Sequence, residues 1–588
     1  LEFNVCSSEY KQPTVLKEIN ASQFNLSENA KNNAQNLQNA LDFCKENNIN
    51  RLIIDKGVYY FNIAEPILIA DMKNFELRAK NTRFVFYSPI TCKEGIVYFK
   101  IVNCDTVKFT GLSIDWDVKK APLASLVKVV NRADTYVDFE CMEDREIPET
   151  SVFITTNAVN DKTFTPGVEG GREYNINGNA AETFLNREKI GEKTYRCYQD
   201  ILSLSSLFFK PGTYHLIRHF MYNGGAFSLS DSKHITFENV TLYAVPGFGI
   251  HVHGHSSHFW FNGFKITLPD FEKRYITATA DGIHIRQSDG NFKFENCDLG
   301  YQGDDCINIH DNVILVRERK SEREFVISTT SNFPCDTGDC IELRRADLSP
   351  FGFFSEVERI EICGKERIVT VKDPLPASLA YGCVAYNRAY NSAHYEIRNC
   401  AFHETRARGI LAQASDGMIE NCKFYNIQGA AIQIESGASP AWSEGTGVDN
   451  LVIRNNEMIN CDINDWDKGV LYMSTFLPAG IPIKNTKFAN ETTTVGDSGA
   501  DFRTAYPMFT NITIENNLFK EYPRRAMILT SFDGVTLKNN IFKNEVPREL
   551  NNPERGSVWA AYGKNLKDEN NIFEPSPYMN MPKIENDC

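Results

Sequence analysis

One short pattern recurs along this chain: an apolar residue, a charged residue, then Asn followed by Cys or Asn. It stands at Phe294-Glu295-Asn296-Cys297, Ile397-Arg398-Asn399-Cys400, Ile419-Glu420-Asn421-Cys422, Ile453-Arg454-Asn455-Asn456, Ile514-Glu515-Asn516-Asn517 and Leu537-Lys538-Asn539-Asn540. Asn103-Cys104 and Phe237-Glu238-Asn239-Val240 extend it towards the N-terminus, with Asn262 as a weaker member. Neighbouring asparagines are 22 residues apart from Asn399 to Asn421, 23 from Asn239 to Asn262 and from Asn516 to Asn539, and 34 from Asn262 to Asn296 and from Asn421 to Asn455. A base period of 22 to 24 with loop insertions marks an array of stacked units. The segments between the asparagines are short, alternating and rich in Ile, Val and Phe, which is strand chemistry. Each unit then supplies three short strands and three turns, with the asparagines laddered at one corner. The expected fold is all-β, a right-handed parallel β-helix.

A second pattern tests this. Gly249-Ile250-His251-Val252, Gly282-Ile283-His284-Ile285, Cys306-Ile307-Asn308-Ile309, Gly409-Ile410-Leu411-Ala412, Ala431-Ile432-Gln433-Ile434, Gly469-Val470-Leu471-Tyr472 and Ala526-Met527-Ile528-Leu529 lie in register. The second and fourth positions are apolar and face inward; the third is often polar and faces out.

Apolar residues at helical spacing (Ala34, Leu37, Leu41, Cys44) predict a helix over 34–48 that caps the open end of the solenoid. The asparagine signature is missing over about 121–220 and 312–390, where antiparallel-looking strands such as Arg367–Val371 stand instead. These are read as two inserted small β-barrel-like domains. The expected division is 1–120 (cap and first coils), 121–220 (insert), 221–311 (coils with the acidic stretch), 312–390 (second insert) and 391–588 (C-terminal coils and tail). The coil of Asp305 is then adjacent to that of Arg408 despite 103 residues of separation.

The acidic stretch is where the second pattern acquires chemistry. In Thr279-Ala280-Asp281-Gly282 and Gly303-Asp304-Asp305-Cys306, an offset of 24 places Asp281 on Asp305, with Asp304 one residue to the side. Stacked like charges are unfavourable unless they serve something. Around them the columns carry Arg408 before the aligned four, His284 and Asn308 at the third position, and Arg286, His310, Gln413 and Glu435 after the four. Together with Trp442, which reads equally as a packed loop aromatic or a sugar platform, these are the candidate substrate-binding residues. Farther along the solenoid the columns turn apolar, so the polar groove is local.

Three neighbouring carboxylates suit glycoside hydrolysis, which needs one acid for the leaving oxygen and one carboxylate to activate water or attack the sugar. Crowding splits their proton affinities, so one stays protonated near neutral pH. No His-x-His or His-x-x-x-His pair lies within the acidic stretch, so no metal is expected. The formal net charge of −14 argues against nucleic acid and for a neutral or weakly charged substrate. With 42% hydrophobic residues and no run of about 18 apolar residues, the chain is globular without a transmembrane helix. Leu1-Glu2-Phe3 reads as a cloning remnant, and a periplasmic or extracellular location, reached through a trimmed leader, is expected. The sixteen cysteines lack metal spacing; those after Asn read as buried thiols, and Cys335 and Cys340 could pair in an oxidising compartment. The oligomeric state stays open, a homodimer included.

Thr279-Ala280-Asp281-Gly282 and Gly303-Asp304-Asp305-Cys306-Ile307-Asn308 resemble the core of glycoside hydrolase family 110, the exo-acting α-1,3-galactosidases. The resemblance runs from roughly 34 to 560 and includes both inserts. It implies an inverting mechanism, no cofactor, and terminal α-1,3-linked galactose as substrate, as in blood group B, linear Galα1-3Gal and some algal galactans. Carried over, Asp304 is the acid, and Asp281 and Asp305 activate water. The family 28 polygalacturonases share the three aspartates, but neither Gly-His-Gly nor Arg-Ile-Lys follows the acidic pair here; Arg406-Ala407-Arg408-Gly409 does. A uronate hydrolase using Arg286 and Arg408 to bind a carboxylate is the alternative enzyme. A non-catalytic β-helical carbohydrate-binding protein is the alternative without catalysis.

Overall fold

A computed structural model describes residues 9–588 except 89–94, 167, 170–172, 176–186, 199–208, 329–332, 439–442, 464–468, 478–502, 549–555 and 579–580. Each full coil passes through three short strands. In the coil of Asp304 these are Phe292–Glu295, Asp298–Gly300 and Ile307–His310. The first two belong to a sheet that turns the asparagine corner, and the third to a second long sheet. Pairing from coil to coil is parallel, as Ile250 beside Ile283, Ile283 beside Ile307, and Ile307 beside Ile410. The interior is built from columns: these isoleucines and Ile432 are fully buried. Phe237, Phe261 and Phe294 stack with centroids 5.2 and 4.9 Å apart. Burying each such side chain contributes about 1.5–3 kcal/mol.

The corner asparagines recur because their backbone is left-handed. Asn103, Asn239, Asn296, Asn399, Asn421, Asn455, Asn516 and Asn539 all have φ between 52° and 57°, a region Asn tolerates better than other residues with a side chain. Asn262 is not a member of this column. It pairs with Glu238 and Glu295, and the left-handed residue is Gly263, φ 62°. Glycine takes that conformation without penalty, so the asparagine there is dispensable.

One residue past the corner, a second column points inward. It is cysteine in the middle coils (Cys297, Cys400, Cys422) and asparagine beyond (Asn456, Asn517, Asn540, Asn571). The thiols are buried, and Cys335 and Cys340 are likewise free thiols. The asparagine amides form a buried ladder, each Nδ2 donating to the next Oδ1 at 2.9–3.1 Å from Asn456 to Asn571. Asn517→Ala strands the Asn456 amide and the Ile453 carbonyl, to which Asn517 donates at 2.9 Å. At about 1–3 kcal/mol per buried orphan group, its thermal unfolding is expected several degrees below wild type, and an unchanged transition would deny the ladder a structural role.

The third-face register departs from expectation at one coil. Ile432 pairs with Leu471, not Val470, and Leu471 with Met527. In other coils the first-position glycine is required because a Cβ would meet the next coil's carbonyl, at 2.4 Å for Gly249, 2.7 Å for Gly282 and 2.5 Å for Gly409. Gly469 serves a different need, a bend with φ 92° one residue earlier. Tyr472 therefore takes the outward third position, and Ser474 stacks on Glu435.

The cap helix is Asn33–Glu46, burying Leu37, Ala40, Leu41 and Cys44. It lies over the edge strand Ile67–Ala70, where Gln38 accepts from the Leu68 N–H at 2.8 Å and donates to its carbonyl at 3.0 Å. One side chain thus satisfies both groups of an unpaired edge. Residues 124–218 form a seven-stranded antiparallel sheet, and Val313–Asn387 a closed six-stranded barrel. Each has its own apolar core, around Phe139 and Phe153 in the first and Val316 and Val369 in the second. In both, the first and last strands are neighbours: Ala124–Arg132 pairs with Tyr214–Arg218, and Val313–Arg319 with Val384–Asn387. The solenoid consequently resumes where it stopped. The Cys306 N–H donates to the Arg408 carbonyl at 3.0 Å. No helix among the described residues is long and apolar enough to cross a membrane.

Candidate active site

The three aspartates stand in turns that feed the third-face strands Ile283–Arg286 and Ile307–His310. Gly282 N–H donates to the Asp305 carbonyl at 2.8 Å, which fixes the two turns side by side. Asp281, Asp304 and Asp305 are buried, and their carboxylates bring oxygens within 4.8 Å of one another. The end of the first insert braces them. Arg218 Nη1 donates to the carbonyls of Thr279 (2.8 Å) and Gly303 (2.9 Å), and the Thr279 hydroxyl to the Met221 carbonyl (2.8 Å). A Cβ on Gly303 would stand 2.4 Å from that guanidinium.

Each carboxylate has a different partner. Asp304 accepts from Arg406 Nη2 at 3.0 Å on one oxygen and from the Tyr222 hydroxyl on the other. Asp305 meets Arg408 Nε at 2.9 Å and accepts from the Arg408 backbone N–H at 2.9 Å. Among the described residues no guanidinium is bonded to Asp281; its Oδ2 lies 2.5 Å from His284 Nδ1. Burial, reinforced by Asp304, pushes the Asp281 carboxyl well above the usual carboxylate range. Burial also raises Asp305, with Arg408 opposing. His284 is pushed down to about 4 by burial and is neutral at pH 7.

Of the other candidate residues, His284 and His310 face each other through their Nε2 atoms at 3.1 Å. Asn308 and His310 reach Glu444 at 3.4 and 3.6 Å. Arg286 Nε donates to His251 at 3.0 Å, one step away along the groove. Gln413 donates to the Glu435 carbonyl at 3.0 Å, and the Glu435 carboxylate accepts from Gln433, so these two support the coil rather than touch the trio. Trp442 lies outside the described residues. Arg408 and Glu435, expected on an open outer face, are instead covered: the Arg408 side chain is 17% exposed and Glu435 is 5% exposed. Arg408→Ala is therefore expected to lower stability as well as turnover, because removing one partner of a buried ion pair costs about 3–5 kcal/mol. Denaturant unfolding like wild type would place Arg408 in open solvent.

Glu444, Tyr222, Arg406 and Arg218 escaped the sequence-based list. Tyr222 sits in a link between strands, and Glu444 in the two-residue strand Ser443–Glu444, which pairs antiparallel with the end of Ile432–Ala438; neither carries a periodic signal. Arg406 was visible two residues before Arg408, a spacing that returns to the same side of an extended turn. Among the described residues only the three aspartates assemble ligand atoms for a cation. Arg406 and Arg408 already place guanidinium charge on two of them. That positive charge opposes a second cation, and the all-oxygen donor set would suit only a hard one.

Comparison with known proteins agrees with the fold and extends beyond it. A family model described as a right handed beta helix region matches residues 388–575. Among solved structures, the exopolygalacturonase of Thermotoga maritima superposes with a TM-score of 0.44 at 12% identity, over 96% of this chain and 94% of that one. By sequence, the chain is 22% identical over 579 residues to alpha-1,3-galactosidase A of Shewanella woodyi, covering 92% of this chain and 88% of that protein. It is 25% identical over 515 residues to alpha-1,3-galactosidase B of Bacteroides thetaiotaomicron, covering 79% of each. The chain is thus a right-handed parallel β-helix whose curated homologues, aligned over most of its length, are named α-1,3-galactosidases.

Proposed function

We propose that this protein is an exo-acting, inverting glycoside hydrolase that releases terminal α-1,3-linked galactose, with Asp304 as acid and Asp281 and Asp305 as the water-activating pair. The observation that carries it is the asymmetry of the trio. Asp304 is bonded to Tyr222, a half-exposed residue, whereas Asp281 and Asp305 lie against His284 and Arg408, whose side chains are only 12% and 17% exposed. A leaving group must extend towards solvent, so the acid belongs on Asp304 and the attacking water deeper. The raised Asp281 and Asp305 keep a proton within the trio.

The names of the relatives support the galactoside substrate. Inversion rests on the family resemblance rather than on spacing, because opposed inverting carboxylates stand about 6.5–9.5 Å apart and this trio is tighter. The uronate alternative gains nothing from the site, since Arg408 is engaged by Asp305. Incubation with a panel of galactosides and oligogalacturonates, without added metal, is expected to free galactose only, from non-reducing α-1,3-linked ends. Proton NMR during the first turnovers is expected to show β-galactose. α-Galactose as the initial product would overturn the inverting role assignment, and uronate release would replace the substrate. Sugar binding with no hydrolysis, indifferent to loss of any aspartate, would make the protein a lectin-like binder.

A further inference from the structure

We propose that Tyr222 is a substrate-contacting residue, its ring forming with Phe248 a platform for the galactose and its hydroxyl holding Asp304 in place. This rests on the galactosidase reading above and names one wall of its sugar subsite.

Tyr222 lies in the short link between Tyr214–Arg218 of the first insert and the coil strand Gly224–Ser230. It is 46% exposed, yet its hydroxyl is bonded to a buried carboxylate. Among the described residues it is the one large half-exposed aromatic that touches the trio. Its ring lies 5.6 Å from Phe248, tilted by 37°. Phe248 is itself held by His251, stacked at 5.2 Å, and by the edge of His284 at 5.2 Å. The strand register puts Phe248 in the column of the aspartates, one coil earlier: Phe248, Asp281, Asp305, Arg408. The column therefore runs from aromatic through acidic to cationic at about 4.8 Å per step.

Galactose has a matching asymmetry. Its axial 4-hydroxyl leaves the opposite face with adjoining C–H groups at C3, C4 and C5, an apolar patch that lies well on an aromatic ring. A sugar seated over Asp281 and Asp305 meets Phe248 and Tyr222 at one end and guanidinium donors at the other. The link that carries Tyr222 is fixed before it, by Arg218 on the Thr279 and Gly303 carbonyls and by Thr279 on the Met221 carbonyl, and after it by the Asn223 carbonyl, which accepts from the Ile96 N–H at 2.7 Å. The platform is thus preformed rather than loose. During the reaction the proton passes from Asp304 to the glycosidic oxygen as the C–O bond breaks. Tyr222 keeps its own proton and, with Arg406, donates to the carboxylate left behind. Burial and the neighbouring Asp304 hold the Tyr222 phenol in its protonated form.

Tyr222→Phe retains the ring and Tyr222→Ala removes it, and the half-exposed position makes both tolerable to the fold. Galactose binding by calorimetry and kinetics on an α-1,3-linked digalactoside and an aryl α-galactoside separate the two roles. Tyr222→Ala is expected to weaken galactose binding and raise KM by about 10- to 100-fold, the range for removing a buried-edge aromatic anchor. Tyr222→Phe is expected to keep KM and galactose affinity near wild type, and to lower kcat about 10-fold on the digalactoside but less on the aryl substrate. Wild-type affinity and KM in Tyr222→Ala would overturn the platform while leaving the galactosidase reading intact. A wild-type protein that frees galactose from neither substrate would overturn that reading, and the platform with it.

Discussion

Asp304→Asn is expected to lower turnover of an α-1,3-linked oligosaccharide by about 10²–10⁴-fold, the range general acid catalysis supplies. An aryl galactoside with an acidic phenol as leaving group should lose far less. A sugar alkoxide cannot depart unprotonated, whereas a nitrophenolate can, so the penalty measures how much the departing oxygen needs the proton. Asn is nearly isosteric: its carbonyl oxygen accepts from Arg406 in place of Oδ1, and its NH2 stands in place of Oδ2, where it can donate to the Tyr222 hydroxyl oxygen. A folded protein is therefore expected, and its melting curve is the control. Asp281→Asn and Asp305→Asn should damage both substrates alike, because the same water must be activated whichever group leaves. Equal losses on both substrates in Asp304→Asn would remove it from the role of acid.

Asp281→Asn should also make the protein more stable at neutral pH. The folded carboxyl is raised well above its ordinary range by burial and by Asp304. The folded state therefore binds a proton more tightly than the unfolded chain, whose Asp titrates near about 3.9. The contribution of this group is fully present below about pH 4 and is lost as pH rises through the folded value. At pH 7 it opposes folding. A neutral isostere removes that strain, so a gain in stability is expected at pH 7, vanishing near pH 4. The signature is a melting temperature above wild type at pH 7 that converges with it in acid, in a variant with no turnover. A variant less stable than wild type at pH 7 would show that the Asp281–His284 contact holds the fold.

The sequence made the solenoid visible because stacking repeats a demand. The buried isoleucine column and the left-handed corner asparagines are imposed once per coil, so they can be counted. Reading failed where one residue type answered two different demands. Gly469 serves a backbone bend rather than a close coil contact, and the register slipped by one; Gly263 replaced asparagine at the corner, and Asn262 was misplaced. The site shows the same division. Asp281, Asp305 and Arg408 were aligned because they sit on the repeat. Tyr222 comes from a link and Glu444 from a short antiparallel strand, both outside the repeat, and nothing in their neighbours announces where they land.

The barrel at Val313–Asn387 also has a consequence for synthesis. Arg406 and Arg408 neutralise Asp304 and Asp305, yet leave the ribosome about 100 residues later, a delay of roughly 5–20 s at typical elongation rates. In that interval the nascent chain holds the acidic turn without its counter-ions and cannot complete it. The barrel shortens the wait's entropic penalty. Its first and last strands pair directly, so once it closes, the free loop between Asp305 and Arg408 shrinks to about 30 residues, worth about 1 kcal/mol in closure entropy. With its ends paired, the insert thus brings the arginines within a short loop of the coil that awaits them.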